Sequence, residues 1–441
     1  MKILKFITIS SMAICITGCG AFSQFSHTNI KLVEPIVKSK ASFTVSKDRG
    51  NNQKTLVILS LSGGGSRAAY FSASIMLALE NVFKKDKLNL LEEVDIISSV
   101  SGGSLPAAFY VTSKDIDDES KKMKFTRTWD QQTVTNLMSK NYRQKWLGNW
   151  FWPTNIVKFW FTAFDRSDMM AQTLADNLFD MKFYGFDLKF KDINQTRPNL
   201  VLNSTNGTTG NFSSIFTFTQ EQFEKQINSD IQEYEISRAV MATASFPGAF
   251  NYMTLKDFRS DEDKYVHVFD GGNSDNLGLK SVEKIIDKNK KKYNRVVVIL
   301  VDSYIESLGV SPTEYDGRKF SDYIVDLNFI DSSDSLLSIN RENTIDNLSD
   351  KLEERGGPKE FVFYHIQFSD ISNQELKNKL NSIKTDFRIE EEGTEAIDQA
   401  VSEIIVKDNS CLIKIKEVLL KKSTKHKDWL CTWEVPDANK I

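Results

Sequence analysis

Ser101 sits where a serine becomes reactive. Residues 93–111 read EVDIISSVSGGSLPAAFYV. An apolar run at 94–97 leads through Ser98, Ser99 and Val100 to Ser101, Gly102 and Gly103. A helix-forming stretch, 105–111, follows. Strand, tight turn and helix with a serine at the turn is the layout of a nucleophile elbow, which holds the hydroxyl above a sheet edge at the positive end of a helix. Such a turn strains its central residue, and small neighbours keep the backbone free of clashes. Glycine usually stands two before the serine; here that place is Ser99. Ser-Gly-Gly also occurs in ordinary turns. A hydroxyl needs a base at neutral pH, and the chain has four histidines, His27, His267, His365 and His426. His27 and His426 fall in polar terminal segments, and His365 lies in the strand-like FVFYHIQF without a motif around it. A serine–histidine–aspartate triad is therefore poorly supported.

Two other stretches carry the same signature of a short loop after an apolar strand. TLVILSLSGGGSRAAYFSASIMLALENVF gives a strand over 56–61, a turn of Gly63, Gly64 and Gly65, and a helix over 68–82. Glycine lets the chain approach a ligand closely, so backbone N–H groups can converge on one negative oxygen. A phosphate-binding loop is the rival, but its Gly-Lys-Ser/Thr ending is absent. YVHVFDGGNSDNLGL places Asp270 at the end of a strand, before Gly271 and Gly272. By itself Asp-Gly-Gly is a turn-former. His267, three residues earlier, belongs to the opposite face by alternation and reads as structural.

In this order and spacing the three stretches resemble the patatin-like phospholipases. That family combines a glycine-rich oxyanion loop ending in a basic residue, a G-x-S-x-G elbow and an Asp-Gly-Gly or Asp-Gly-Ala motif. The matching positions are Gly63, Gly64, Gly65 and Arg67, then Ser101 and Gly103, then Asp270, Gly271 and Gly272. ISRAVMATASFPGAF (236–250) is similar to the segment before the family's aspartate. TDFRIEEEGTEAIDQAVSEII is similar to its closing helix. The departures are Ser99 and Ala68, both standing where the family commonly has glycine. The resemblance implies a Ser101–Asp270 dyad in which Asp270 takes the serine proton directly. Burial that raises its pKa towards the working pH would favour that step. It also implies an oxyanion hole at Gly63, Gly64 and Gly65, with Arg67 supporting the loop or attracting a lipid phosphate. No cofactor is implied. The expected reaction is hydrolysis of fatty-acyl esters of glycerolipids through an acyl-serine. Acyl transfer to another alcohol and non-catalytic lipid binding by an envelope lipoprotein stay open.

The elements that must position these residues alternate. Strands are expected at 56–61, 94–100, 199–203, 212–219, 265–269 and 295–301. Near-continuous apolar runs such as VVVILV fit strands buried on both faces of a mostly parallel sheet. The expected fold is α/β, a three-layer α/β/α sandwich of patatin-like form. In such sheets ligands sit at the carboxyl ends of the strands, and Gly63, Ser101 and Asp270 each follow a strand. The domain is expected over 54–405, with an insertion at about 114–197 and a tail at 406–441. Five of the seven tryptophans, Trp129, Trp146, Trp150, Trp152 and Trp160, fall in the insertion. They mark either a lid or membrane-contact element or a packed helical subdomain, since such side chains suit both a water–lipid boundary and a core.

Residues 1–18 combine Lys2 and Lys5, a short apolar centre and small residues, the pattern of an export signal. That run is too short to span a bilayer permanently. Ile16-Thr17-Gly18-Cys19 resembles the bacterial lipobox, which implies lipidation of Cys19 and, with Gly20 next, an outer-membrane lipoprotein of the cell envelope. A plain secretory signal is the alternative. Residues 19–53 are polar and read as a tether, with a short strand near 41–45. The chain of 441 residues carries 56 basic and 59 acidic side chains, a net charge of −3 without a dominant basic patch, so nucleic acid is not an expected partner. No Cys-x-x-Cys or paired-histidine spacing points to a metal. Cys411 and Cys431 are the two cysteines outside the export region. In an oxidising compartment they either bridge, clipping the tail to the preceding helix, or remain separate thiols.

Overall fold

The computed structural model describes residues 26–45, 50, 54–113, 127–179, 181–209, 214–305, 341–348, 350, 360–420 and 430–433. The export signal, Cys19, His426 and the first part of the insertion lie outside the described residues.

Among the described residues eight strands form one sheet: β1 (Thr55–Leu61), β2 (Ile96–Val100), β3 (Asn199–Asn206), β4 (Ile215–Phe218), β5 (Met253–Asp257), β6 (Lys264–Asp270), β7 (Arg295–Asp302) and β8 (Glu360–Gln367). Hydrogen-bonded neighbours follow the path β5-β6-β3-β2-β1-β7-β8, with β4 also on β3. The segment β3-β2-β1-β7-β8 is parallel throughout. β4, β5 and β6 pair antiparallel. The principal helices are α1 (Gly65–Asn81), α2 (Ser104–Thr112), α3 (Gln131–Met138), α4 (Tyr142–Trp150), α5 (Pro153–Phe161), α6 (Arg166–Leu178), α7 (Ile236–Thr243), α8 (Leu279–Asn289), α9 (Glu391–Ile404) and α10 (Ser410–Leu419).

Alternation along the parallel strands builds two cores. Val57, Leu59 and Leu61 of β1 pack with the α1, α2, α7 and α9 side, as do Val297, Ile299 and Val301 of β7. Leu56 and Ile58, with Val296, Val298 and Leu300, pack with Leu279, Val282 and Ile285 of α8 on the other face. A strand whose two faces both meet helices must be apolar at every position, which is why VVVILV reads as a continuous run. Helices on both faces of a mostly parallel sheet make the three-layer α/β/α sandwich.

Three differences from the sequence reading have physical causes. The segment expected as a tether is packed over much of 26–45. Asn29 donates from Nδ2 to Ser229 Oγ and Lys256 O, both at 3.0 Å. Ala41 joins one core, and Phe43 and Val45 join the other. Residues 41–45 bend rather than form a strand, because Asn199 and Asn289 side chains satisfy their backbone groups. At the other end the domain runs past 405, since Cys411, Leu412 and Ile415 of α10 are fully buried.

Candidate active site

The parallel register brings the carboxyl ends of β2 and β7 beside that of β1, since Leu61 pairs with both Ser99 and Val301. The loops that leave there carry Gly63, Ser101 and Ser303. Asp270 reaches the same place by a different route than a parallel sheet would provide. β6 runs antiparallel to β3, with Asp270 opposite Ser204, while Val100 at the end of β2 lies opposite Asn203. Successive N–H groups of a strand point to opposite edges. Asn199 donates to Asp95 before β2, and Gly207 donates to His267 in β6. Both donors are at odd positions, so β2 and β6 share one edge of β3 and meet end to end. Ser101 and Asp270 are the residues at that junction. Gly271 must be glycine here, because a Cβ would lie 2.2 Å from Asn203 O.

Ser101 has φ 47°, the left-handed strain of an elbow, and is the first residue of a turn that runs into α2. Its hydroxyl donates to Asp270 Oδ2 at 3.1 Å. The other carboxylate oxygen, Oδ1, accepts the Gly272 N–H at 2.8 Å, which fixes the orientation of the carboxylate. Burial pushes the Asp270 carboxyl up to about 7, against the lowering effect of those two hydrogen bonds. Thr205 Oγ1 donates to Asp270 O at 2.8 Å and lies 2.9 Å from Ser274 Oγ, anchoring the end of β6.

The first departure from the glycine pattern is accommodated. Ser99 Oγ accepts from Ser104 Oγ at 3.2 Å, and Ser104 in turn accepts from Thr243 Oγ1 at 3.1 Å. All three are fully buried, so the extra hydroxyl is hydrogen-bonded beneath the elbow rather than projecting into the site.

The glycine loop lies against the nucleophile. A Cβ on Gly102 would meet Gly65 O at 2.0 Å, so the two backbones touch with no room for a side chain. Gly63 N–H is already committed to Asn276 O at 3.1 Å. That removes Gly63 from the expected set of oxyanion donors. Among the described residues, the N–H groups of Gly64 and Gly65 have no protein acceptor. Arg67 is a loop support and not a phosphate site. It is buried and donates from Nε to Ser303 O at 2.9 Å, from Nη1 to Ile383 O at 2.5 Å and from Nη2 to Thr385 Oγ1 at 3.3 Å. Ser303, which the sequence reading passed over, donates from Oγ to Gly63 O and from its N–H to Ser62 Oγ, both at 2.9 Å. Its only sequence signal is its position, just after the strand β7, like the other site residues.

No described histidine meets Ser101. His267 pairs across the strands with Thr254, bonds its Oγ1 through Nδ1 and lies against the Tyr252 ring. His365 bonds Asp302 Oδ2 at 3.1 Å and lies on β8, with β1 and β7 between it and β2. Burial would raise Asp302, but the His365 hydrogen bond and the Arg341 charge outweigh it and hold the carboxyl well below the usual range. His27 stands edge-on to Tyr265. No group of metal-ligating side chains occurs among the described residues. Cys411 and Cys431 are bonded to each other, with Cα atoms 5.7 Å apart.

The insertion divides between the two readings given to it. Trp129 is core, with its ring 4.7 Å from that of Tyr110. Trp146 donates from Nε1 to Arg166 O and is partly buried. Trp152 and Trp160 are exposed. No helix among the described residues is long and apolar enough to cross a membrane.

A protein-family model described as patatin-like phospholipase matches residues 59–282, more than half of the chain. No curated protein matches it. Among solved structures, human GIVD cytosolic phospholipase A2 in complex with methyl gamma-linolenyl fluorophosphonate and terbium chloride is 12% identical, with a TM-score of 0.46, covering 86% of this chain and 62% of that one. A second structure of the human enzyme is 13% identical, with a TM-score of 0.34 and coverage of 55% and 42%. VipD from Legionella pneumophila is 11% identical, with a TM-score of 0.28 and coverage of 86% and 71%. The chain thus spans less than two thirds of the human enzyme it matches.

Proposed function

The chain belongs to the patatin-like phospholipase family, and from that premise we propose that it hydrolyses fatty-acyl esters of membrane glycerolipids through an acyl-Ser101 intermediate. The observation that carries this reading is the Ser101 Oγ to Asp270 Oδ2 hydrogen bond of 3.1 Å, made to a carboxylate whose pKa burial raises to about 7. Asp270 Oδ2 takes the hydroxyl proton as Ser101 Oγ attacks the ester carbonyl. The oxygen that becomes negative is received by the Gly64 and Gly65 N–H groups. A single such donor is worth about 3–4 kcal/mol in the transition state. Collapse returns the proton from Asp270 to the departing alcohol. Water then attacks the acyl-serine with Asp270 again as base, and collapse releases the fatty acid as the proton passes from Asp270 back to Ser101 Oγ. A base with a pKa close to the working pH combines a useful ionised fraction with proton affinity.

Activity on a short-chain ester should vanish in Ser101→Ala, and a fluorophosphonate should label the wild-type chain at Ser101. Turnover retained by folded Ser101→Ala would remove the acyl-serine route. Product analysis with an added alcohol distinguishes hydrolysis from acyl transfer.

The same reading places the chain in a bacterial envelope, anchored in the outer membrane by lipid on Cys19. Its support is the sequence Ile16-Thr17-Gly18-Cys19 behind an export signal, and several acyl chains hold a protein on a bilayer where one does not. Cys19→Ser should leave the protein soluble or unprocessed. A fully processed variant that stays with membranes would rule the anchor out.

A further inference from the structure

We propose that the outward face of α5, with the turn before it, docks onto the surface of an anionic lipid bilayer. This deepens the lipid-hydrolase reading above and rests on it for the choice of lipid as partner.

The helix is inside out. Asn155 is its one buried residue, held by a hydrogen bond from Nδ2 to Asn149 O, and Phe159 packs inward on Trp150. Ile156, Val157, Trp160 and Phe161 stand about 100–240° around the helix from Asn155 at 100° per residue, so they face the other way. They are 42–58% exposed, and Phe151 and Trp152 in the preceding turn are 80% and 63% exposed. Of the fifteen exposed large apolar side chains among the described residues, seven lie within 147–161. Scattered exposed apolar residues need no explanation, but a contiguous aromatic patch marks an interaction surface.

Charge selects the partner. Between Asp130 and Asp165 there is no acidic residue, while Lys140, Arg143, Lys145 and Lys158 are basic, in a chain whose net charge is −3. Tryptophan in an apolar face flanked by lysine is the composition of a surface that enters a lipid headgroup layer, and lysine beside anionic headgroups adds to binding.

The patch is also continuous with the active site. Ser66 N–H, at the start of α1, donates to Asp386 O at 2.7 Å, and Arg143 of α4 pairs with the Asp386 carboxylate at 2.7 Å. From the next residue, Phe387, rings in contact run through Phe250, Trp146, Trp150 and Phe159 to Trp160, with centroid separations of 4.7–6.0 Å. The segment that braces the glycine loop is thus packed, ring on ring, to the helix that would touch the bilayer.

The test compares full chains that all carry Cys19→Ser, so acylation contributes nothing and residues 1–25 contribute equally. Co-sedimentation uses vesicles of phosphatidylcholine with phosphatidylglycerol and of phosphatidylcholine alone. Val157→Glu/Trp160→Glu should lower vesicle binding by at least about tenfold, with melting temperature and hydrolysis of a soluble short-chain ester unchanged. Lys145→Gln/Lys158→Gln should abolish most of the preference for the phosphatidylglycerol vesicles. Brominated acyl chains should quench wild-type tryptophan fluorescence, and less so in Trp152→Phe/Trp160→Phe, which tests the face even if the glutamate variant fails to fold. Undiminished vesicle binding by folded Val157→Glu/Trp160→Glu overturns the proposal. So does unquenched wild-type fluorescence, or a binding loss that tracks dissociation of a dimer in gel filtration. If wild-type protein binds vesicles through this face yet cleaves no soluble ester, the hydrolase reading falls and the docking surface stands.

Discussion

At Asp270 catalysis and stability pull in opposite directions. The folded site holds its carboxyl near 7, while an unfolded chain ionises it at the ordinary value of 3.8. Below both values the group is protonated in either state and contributes no difference. As pH rises from about 4 to 7 the unfolded state loses its proton first, so the folded state is progressively disfavoured. Above 7 the difference levels off at about 4 kcal/mol. Asp270→Asn removes that cost. It should raise the melting temperature at pH 8 and leave it nearly unchanged at pH 4, while turnover falls by about 100-fold or more for want of a base. In the wild type, kcat/KM should rise with pH through an apparent pKa of about 7. A double variant with Ser101→Ala should be no slower than the slower single variant, because the pair acts as a unit. His267→Gln should keep most activity. A folded Asp270→Asn that turns over normally, or that shows no gain in melting temperature between pH 4 and 8, would contradict this account of the site.

At the scale of elements, the oxyanion loop is held from behind by the loop that follows β7. Ser303 grips Gly63 O, and Arg67 grips Ser303 O together with the Ile383 and Thr385 backbone and side chain. Ser303 is a positioning residue, since it touches the loop and not the substrate. Ser303→Ala should cost about 1 kcal/mol of stability, since the buried Gly63 O loses its 2.9 Å hydrogen bond and keeps the longer one of 3.3 Å from Ser62 Oγ. It should lower kcat with little change in KM, because a shifted loop misplaces donors needed only in the transition state. Ser303→Thr keeps a hydroxyl and should recover part of the rate; equal kcat in wild type and Ser303→Ala would show that the loop holds itself. None of this was legible in the sequence. Hydrogen bonds to backbone oxygens leave no mark on residue types, and the loss of Gly63 as a donor depends on Asn276 O, a main-chain atom. Ser101 and Asp270 were legible because a strained elbow and an aspartate before two glycines restrict composition on both sides. The direction of β6 was not, since an alternating strand reads the same in either sense. β5 was missed because MTLKD is short and partly charged, and it becomes a strand by pairing with β6.

Across the whole molecule, segments from both ends of the chain close the sandwich. Near the amino end Phe43 and Val45 fill the core under α8, and near the carboxyl end α10 fills the opposite one. Among the described residues β8 ends the chain of paired strands, and Cys431 covers part of it, donating its N–H to Phe363 O at 2.7 Å and bridging with Tyr364. An open strand edge invites pairing with another chain, so this contact has a protective consequence. The bond from Cys411 in α10 to Cys431 holds the cover in place across a separation of 20 residues. Closing a loop of that length in the unfolded state is worth about 3 kcal/mol. Cys411→Ala/Cys431→Ala should therefore lose about that much stability. Hydrolysis of a soluble ester at low temperature should persist, because β1 and β7 stand between β8 and the strand that leads to Ser101. Reductant should lower the melting temperature of the wild type to that of the double variant and leave the variant unmoved. The variant should also aggregate sooner on warming, as the edge at Phe363 and Tyr364 is uncovered. A wild-type melting temperature indifferent to reductant, with two thiols labelled in the unreduced denatured chain, would show that the cover is held by packing of α10 alone.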